Sequence, residues 1–569
     1  VTEWPPDPRF DVECRSIPGA LLRSAQRFPD QDAIVDGPRR WNYRQLADEA
    51  LDAVTALVAL GVEPGDRVAL WAPNSAAWII AALGAQGAGA TLVPLNTRLA
   101  APEVLDILAR ARPRVLLIDP LVAGRDLLDE LLAAAGGPPE SVREIAVLAE
   151  FVATVSAGDS VSAGDSAAAR ERARARVAAV GPDDYSDLLF TSGTTGRPKG
   201  VLATHGQSLR AHGYLGLLLG LGPGERYLVV PPFFHSFGYK AGWMACLVHG
   251  ATVLPVARYD AGEVLRTVAR ERVTVLPGPP TLFTDLLAAP ERAGLDLTSL
   301  RATIPSASKV PAALIHRLRR DLGFTDIITC YGLTEATALV TTCVPADDPE
   351  DVVATVGRCL PGNEIRLVDP IGEDAPPGQP GELLVRGYVV SPGYWVSPGY
   401  WVSPDYGGDG GEPDDGGTLV PVTDGEGWLH TGDVATRDER GYVVITDRLK
   451  DMYVSGGFNV YPAEVETVLA AHPGVALSAV VGMPDERLGE VGMAFVVPAA
   501  GTDGAALAAE IPGWLRGRVA HYKIPAEVHP VRALPTNAMM KIRKDVLRNA
   551  GRPAGPAASR PAMRRPGAN

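Results

Sequence analysis

Cysteine is scarce. The five in this 569-residue chain, Cys14, Cys246, Cys330, Cys343 and Cys359, form no C-x-x-C pair. That argues against a disulfide scaffold or a dithiol redox centre and predicts free thiols in a reducing compartment. A basic excess is missing as well: 53 Lys and Arg face 67 Asp and Glu, for a net charge of −14. Nucleic-acid binding requires a basic stripe, so no nucleic-acid partner is expected. ATP is not excluded, because one local cluster of N–H groups and cations is enough to hold it. No apolar run is long enough to cross a bilayer, and the segment Ala76–Gly89 is broken by Gly84, Gly87 and Gly89. It reads as a buried helix, with no membrane partner. The first residues show no signal-peptide pattern, so the expected location is cytoplasmic.

What is present is ample apolar side chain, 46% of residues, in a chain too long for one core, so at least two domains are expected. Trp41–Leu46 leads into a helical pattern that stops at Gly61. Strand patterns follow at 67–70, 90–94 and 115–118, with a helix starting near Ser75. Such alternation predicts βαβ units, parallel sheet and the α/β class. Two tandem repeats stand out: V-S-A-G-D-S around Ser156–Ser166 and S-P-G-Y-W-V over Ser391–Val402. Both read as surface loops, the second running on into the Gly-, Asp- and Pro-rich Gly407–Gly417. Beyond Asn549 the Pro-, Ala- and Arg-rich tail has no hydrophobic period and is expected to be disordered.

The chain is organised around Thr191–Gly200, T-S-G-T-T-G-R-P-K-G, which follows the strand-like Ser186–Phe190. Glycines let backbone N–H groups converge on an anion, while hydroxyls and cations satisfy the remaining oxygens. The spacing of Gly193, Gly196 and Lys199 is not that of the Walker loop. Further along come P-P-F-F-H-S-F-G (Pro231–Gly238), V-L-P-G-P-P-T (Val275–Thr281), Y-G-L-T-E (Tyr331–Glu335), W-L-H-T-G-D (Trp428–Asp433), D-R-L-K-D (Asp447–Asp451), S-G-G-F-N-V-Y-P (Ser455–Pro462) and L-P-T-N-A-M-M-K (Leu534–Lys541). Glu335 is a hard oxygen ligand suited to Mg²⁺. Tyr331 offers a ring to cover an adenine, delivered with Thr334 and Glu335 by a buried strand, and Asp433 offers a turn carboxylate for a ribose diol.

These motifs, in this order, resemble the acyl-adenylate-forming superfamily of acyl-CoA synthetases, peptide-synthetase adenylation domains and luciferases, from about Ile17 to Asn549. The resemblance implies a large N-terminal α/β domain of sheets flanked by helices (1–449), a small mobile α+β domain (450–550) and a tail (551–569). It implies that a carboxylic acid reacts with ATP and Mg²⁺ to an acyl-adenylate, which coenzyme A then intercepts. By the same resemblance Ser192, Gly193, Thr194, Thr195, Gly196 and Lys199 hold the phosphates. Ser306, Ala307, Ser308, Tyr331, Gly332 and Thr334 border the adenine. Asp433 and Arg448 meet the ribose, Lys450 is the hinge, and Gly456, Gly457 and Phe458 let the CoA arm pass. Lys541, Glu335, His235 and Thr191 form the candidate catalytic set, with His235 at the acyl pocket.

Two departures from the family pattern concern adenylation. Met540 stands where acyl-CoA ligases carry glycine before the mobile lysine, and Ser306-Ala307-Ser308-Lys309 replaces a Gly-Ala-Ala-like segment. They leave open an enzyme that only thioesterifies a preformed acyl-adenylate. A ligase loading a carrier protein and a non-catalytic nucleotide-binding scaffold are further alternatives. F-F-H-S-F-G-Y-K-A-G (Phe233–Gly242) and R-L-G-E-V-G (Arg487–Gly492) resemble actinobacterial CoA ligases for the bicyclic propanoate left from steroid rings. A polycyclic steroid-like or terpenoid acid, including one destined for an antibiotic, is therefore the favoured substrate. Oligomeric state is open, and a homodimer is compatible.

Overall fold

The computed structural model describes Trp4 and residues 16–157, 166–191, 198–306, 310–396, 418–449, 451–455, 458–485, 487–516, 518–519, 521–536 and 542–550. The chain groups into two compact units. One comprises 1–431 with 435–445, and the other 432–434 with 446–569.

The first unit is built on an eight-stranded sheet, in the order Thr418–Val420, Tyr394–Val396, Lys199–Thr204, Tyr185–Thr191, Thr91–Pro94, Arg67–Trp71, Val115–Ile118, Glu144–Val147. The last five run parallel, as the βαβ reading requires. The first three are antiparallel additions. For Tyr185–Thr191 and Lys199–Thr204 the short connection forces this, since a parallel pair needs a crossover of a dozen residues or more. A second sheet runs Arg226–Val229, Thr252–Pro255, Asp32–Asp36, Arg39–Asn42. A third orders Asn363–Val368, Gly381–Gly387, Leu429–Arg437 and Val443–Arg448.

Helix Tyr43–Ala59 begins at a capping box, in which Asn42 and Gln45 satisfy each other's backbone N–H groups. Its neighbour Ala76–Gly87 starts at Ser75, whose hydroxyl accepts from Trp78 N–H, and is buried almost throughout. No described helix is long and apolar enough to cross a membrane. The glycines that interrupt the apolar run have a packing purpose. A Cβ on Gly84 would lie 2.6 Å from Ala53 Cβ and 3.1 Å from Ala53 C in the facing helix.

The second unit packs helix Pro462–Ala470 and helix Gly504–Leu515 on a sheet led by the antiparallel pair Val475–Asp485 and Gly489–Pro498. Its core is Tyr453, Val460, Val465, Leu469, Val480, Val496, Ile511 and Leu515.

Gly84→Val is expected to push the two helices apart and lower the stability of the first unit by about 2 kcal/mol. An unchanged urea midpoint would show that the close approach is dispensable.

Candidate functional site

The strand Tyr185–Thr191 buries Ser186, Asp187, Leu188 and Leu189, then opens toward solvent at Phe190 and Thr191. Its partner returns so that Thr191 faces Lys199 and Phe190 faces Gly200. Both ends of the glycine- and hydroxyl-rich turn are thus fixed by ladder register. Ser192, Gly193, Thr194, Thr195 and Gly196 lie outside the described residues. Arg110, at the end of helix Ala101–Ala111, pins the far end by donating from Nη1 to the Pro198 carbonyl at 2.6 Å. Its guanidinium stacks 4.8 Å from the Phe190 ring centre.

Glu335 is carried by a single 3₁₀ turn, Thr334–Ala336, following the two-residue strand Cys330–Tyr331. The buried strand expected to deliver Tyr331, Thr334 and Glu335 is therefore broken: Asp326–Ile327 and Cys330–Tyr331 belong to different sheets. Gly332 earns its place by packing. An added Cβ would sit 2.2 Å from the Ala338 carbonyl carbon. The turn is held from outside by Ser391, whose N–H donates to the Glu335 carbonyl at 2.8 Å.

The surface-loop reading of Ser391–Val402 is overturned for its first copy. Tyr394–Val396 is a strand of the main sheet, with Tyr394 opposite Val201 and Trp395 opposite Gly200. Tyr394 donates its hydroxyl to Glu335 Oε1 at 3.1 Å, and Lys199 Nζ lies 4.9 Å from its ring centre. Thr191, Lys199, Tyr394 and Glu335 thus form one contiguous group. The missed signal was the run of Tyr394, Trp395 and Val396, three β-forming residues in a row. The second copy lies outside the described residues.

His235 is half-buried and caps the short helix Ser236–Gly238, its Nδ1 accepting from Phe237 N–H at 3.2 Å. That bond requires the neutral ring with its proton on Nε2. Burial pulls the His235 pKa down to about 4. The following residues, Tyr239–Met244, widen into a π-turn, a distortion frequent at functional sites. Ser306 is half-buried and its Oγ lies 3.5 Å from Cys330 Sγ, so this additional side chain is engaged within its own unit. Tyr331 is half-buried, with its carbonyl accepting from Val340 N–H at 2.8 Å. Ala307, Ser308, Lys309, Lys450, Gly456, Gly457, Met540 and Lys541 lie outside the described residues, as do the side chains of Arg448 and Phe458.

In the second unit Asp433 is buried and occupies a strand instead of the expected turn. Arg448 ends the neighbouring strand, and the Leu449 N–H donates to the Gly432 carbonyl at 2.9 Å. The two ribose candidates therefore lie within one residue of the same interstrand bond. The unit also holds a cavity of about 170 Å³ lined by Asp451, Tyr453, Glu490 and Arg548.

Glu335 fits a divalent cation. Its carboxylate is half-buried, and among the described residues its side chain has one neutral donor and no ion pair. No described cluster of three or more His, Cys, Asp or Glu forms a separate metal site.

Paired strands that bring Thr191, Lys199 and Tyr394 beside the Glu335 carboxylate, on an α/β unit followed by a smaller α+β unit, fit an adenylate-forming enzyme. The chain belongs to the AMP-binding enzyme family, whose model matches residues 21–395, while the family's C-terminal domain matches 464–541. It is an AMP-forming acid–thiol ligase that makes acyl-CoA through an acyl-adenylate. It is 45% identical over 546 residues to the 3-[(3aS,4S,7aS)-7a-methyl-1,5-dioxo-octahydro-1H-inden-4-yl]propanoyl:CoA ligase of Rhodococcus jostii, covering 94% of this chain and 98% of that one. It is 44% identical to the ligase of the same name from Mycobacterium tuberculosis, over 95% and 99% of the two chains. Among solved structures, anthranilate CoA ligase AuaEII in complex with anthranoyl-AMP superposes with a TM-score of 0.78, at 28% identity and over 94% and 97% of the chains.

Buried His205 and His212 have pKa values pulled down to about 3, chiefly by loss of solvent, with the Lys240 charge contributing in the same direction. An unfolded histidine titrates near 6.5, so between these values the unfolded chain binds more protons. Stability is then expected to fall as pH drops below about 6.5, by up to about 1.4 kcal/mol per pH unit for each ring. His205→Asn keeps an acceptor for Ile17 N–H and is expected to flatten the pH slope of the unfolding midpoint by one proton. An unaltered slope would show that His205 is not the group responsible.

Proposed function

We propose that this ligase activates a polycyclic, steroid-ring-derived propanoic acid. The identity of 45% and 44%, spread over nearly the full length of two ligases named for such an acid, carries this reading.

In the proposed site the N–H groups and hydroxyls of Ser192–Thr195, with Lys199, receive the departing pyrophosphate. Thr191 stands at the mouth of that cradle, and the ladder register of Thr191 and Lys199 supports its placement. Glu335 holds Mg²⁺, which when bound neutralises phosphate charge. Tyr331, Gly332, Thr334 and Ser306–Ser308 border the adenine, and Asp433 and Arg448 bond the ribose. Lys541 supplies positive charge where the acid oxygen meets the α-phosphate. Two anions must meet there, so position and charge neutralisation account for most of the rate.

His235, neutral with its proton on Nε2, borders the carboxylate from the acyl side without adding charge. For the thiol step no strong base is required, since a few per cent of a thiol near pKa 8.5 is thiolate at neutral pH. Lys450 acts as the hinge, and Gly456, Gly457 and Phe458 line the CoA path. CoA, and not a carrier protein, is the proposed acceptor.

Mass spectrometry of products from a panel of acids with ATP and CoA, or with a phosphopantetheinylated carrier protein, tests this reading. Bicyclic propanoates are expected to be converted to CoA thioesters in preference to fatty and aryl acids. Preferential turnover of a fatty acid, or loading of the carrier alone, would overturn it. Met540→Gly is expected to raise acid-dependent pyrophosphate release in the absence of CoA. No rise would show that the methionine does not limit adenylation.

A further inference from the structure

Directly beneath the Glu335 turn lies a charged pair inside the core. Lys240 Nζ is 3.0 Å from Asp187 Oδ1, with side-chain exposures of 1% and 0%. A buried ion pair is costly unless further hydrogen bonds support it, and here each partner makes one. Ser186 Oγ donates to Asp187 Oδ2 at 2.7 Å, and Lys240 Nζ donates to Thr337 Oγ1 at 3.1 Å. His212 donates from Nε2 to the Thr337 carbonyl at 2.7 Å.

Thr337 is therefore gripped at both its side chain and its backbone. It needs to be, because it is a β-branched residue with φ of 47°, followed by Ala338 with φ of 67°. Two successive left-handed residues that are not glycine store strain. The Thr337 N–H donates to the Thr334 carbonyl at 3.1 Å, and the Ala338 N–H to that of Leu333 at 2.8 Å. The strained pair thereby closes the turn that presents Glu335 two residues earlier.

The three arms of this grip come from separate motifs. Asp187 precedes the phosphate cradle on its own strand, Lys240 belongs to F-F-H-S-F-G-Y-K-A-G, and Thr337 follows Y-G-L-T-E. We infer that Lys240, Asp187 and Thr337 are positioning residues: the buried pair holds Thr337 in its left-handed conformation, and so sets Glu335 against the strand that carries Thr191. This rests on the proposed role of Glu335 at the metal. None of the three touches substrate. They act through the backbone of the turn, as supporting residues act on a metal ligand.

Thr337→Val tests the inference in the full-length protein, because it keeps the branched shape and leaves the ion pair intact while removing the acceptor for Lys240. The Mg²⁺ concentration for half-maximal acid-dependent ATP–pyrophosphate exchange is expected to rise about tenfold, the scale typical of lost support behind a metal ligand. Calorimetric titration is expected to show ATP binding weakened in the presence of Mg²⁺ and unchanged without it. Thioester formation from a synthetic acyl-adenylate and CoA is expected to stay near parental. Thr337→Ser, which retains the hydroxyl, is expected to restore the Mg²⁺ dependence.

A Thr337→Val protein with parental Mg²⁺ dependence, or one in which both half-reactions fall together and serine does not rescue, overturns the inference. Glu335→Gln is the control. If it leaves the Mg²⁺ requirement unchanged, the metal role of Glu335 fails. If it raises the requirement while Thr337→Val does not, only the positioning inference fails.

Discussion

The ladder between Tyr185–Thr191 and Lys199–Thr204 is the constraint on which the first unit depends. Its register places Thr191 opposite Lys199, within a strand that buries Ser186, Asp187, Leu188 and Leu189 on both faces of the sheet. On one side the strand Tyr185–Thr191 continues into the parallel sheet. On the other, Lys199–Thr204 accepts Tyr394–Val396 as its next neighbour. The same ladder therefore aligns Thr191, Lys199 and the tyrosine that reaches Glu335.

Two of the polar groups in this core bind neighbouring elements together. Asp187 lies in the middle of an apolar strand and is answered by Lys240 and Ser186. Arg110 is shared between the Pro198 carbonyl and the Phe190 ring. Such groups cost little once satisfied and much if one partner is lost. They therefore resist drift in the elements they join.

The architecture was readable in the chain because its signals are local. The stop at Gly61, the strands at 67–71, 91–94 and 115–118, and the buried helix after Ser75 follow from periodicity, caps and breakers. What the sequence concealed is long-range. Nothing near Lys240 announces a partner more than fifty residues upstream, and nothing in Y-G-L-T-E foretells that Thr337 would adopt a left-handed backbone. Asp433, expected at a turn, pairs with neighbouring strands instead, because long-range pairing overrides local preference. Tyr394 was passed over because a repeated, Gly- and Pro-bearing segment looks like loop until an edge strand is available to receive it.

The duplicated hexapeptide has an evolutionary corollary. Its period is even, so a slide of one whole copy returns each side chain to the face it left. The strand slot beside Gly200 and Val201 is thus encoded twice, with Ser397–Val402 repeating Ser391–Val396 residue for residue. Replication slippage that gains or sheds six codons here would change the length of the chain while leaving a tyrosine available to Glu335. A region that looks like sequence debris thus carries, in duplicate, the residues of one strand of the main sheet.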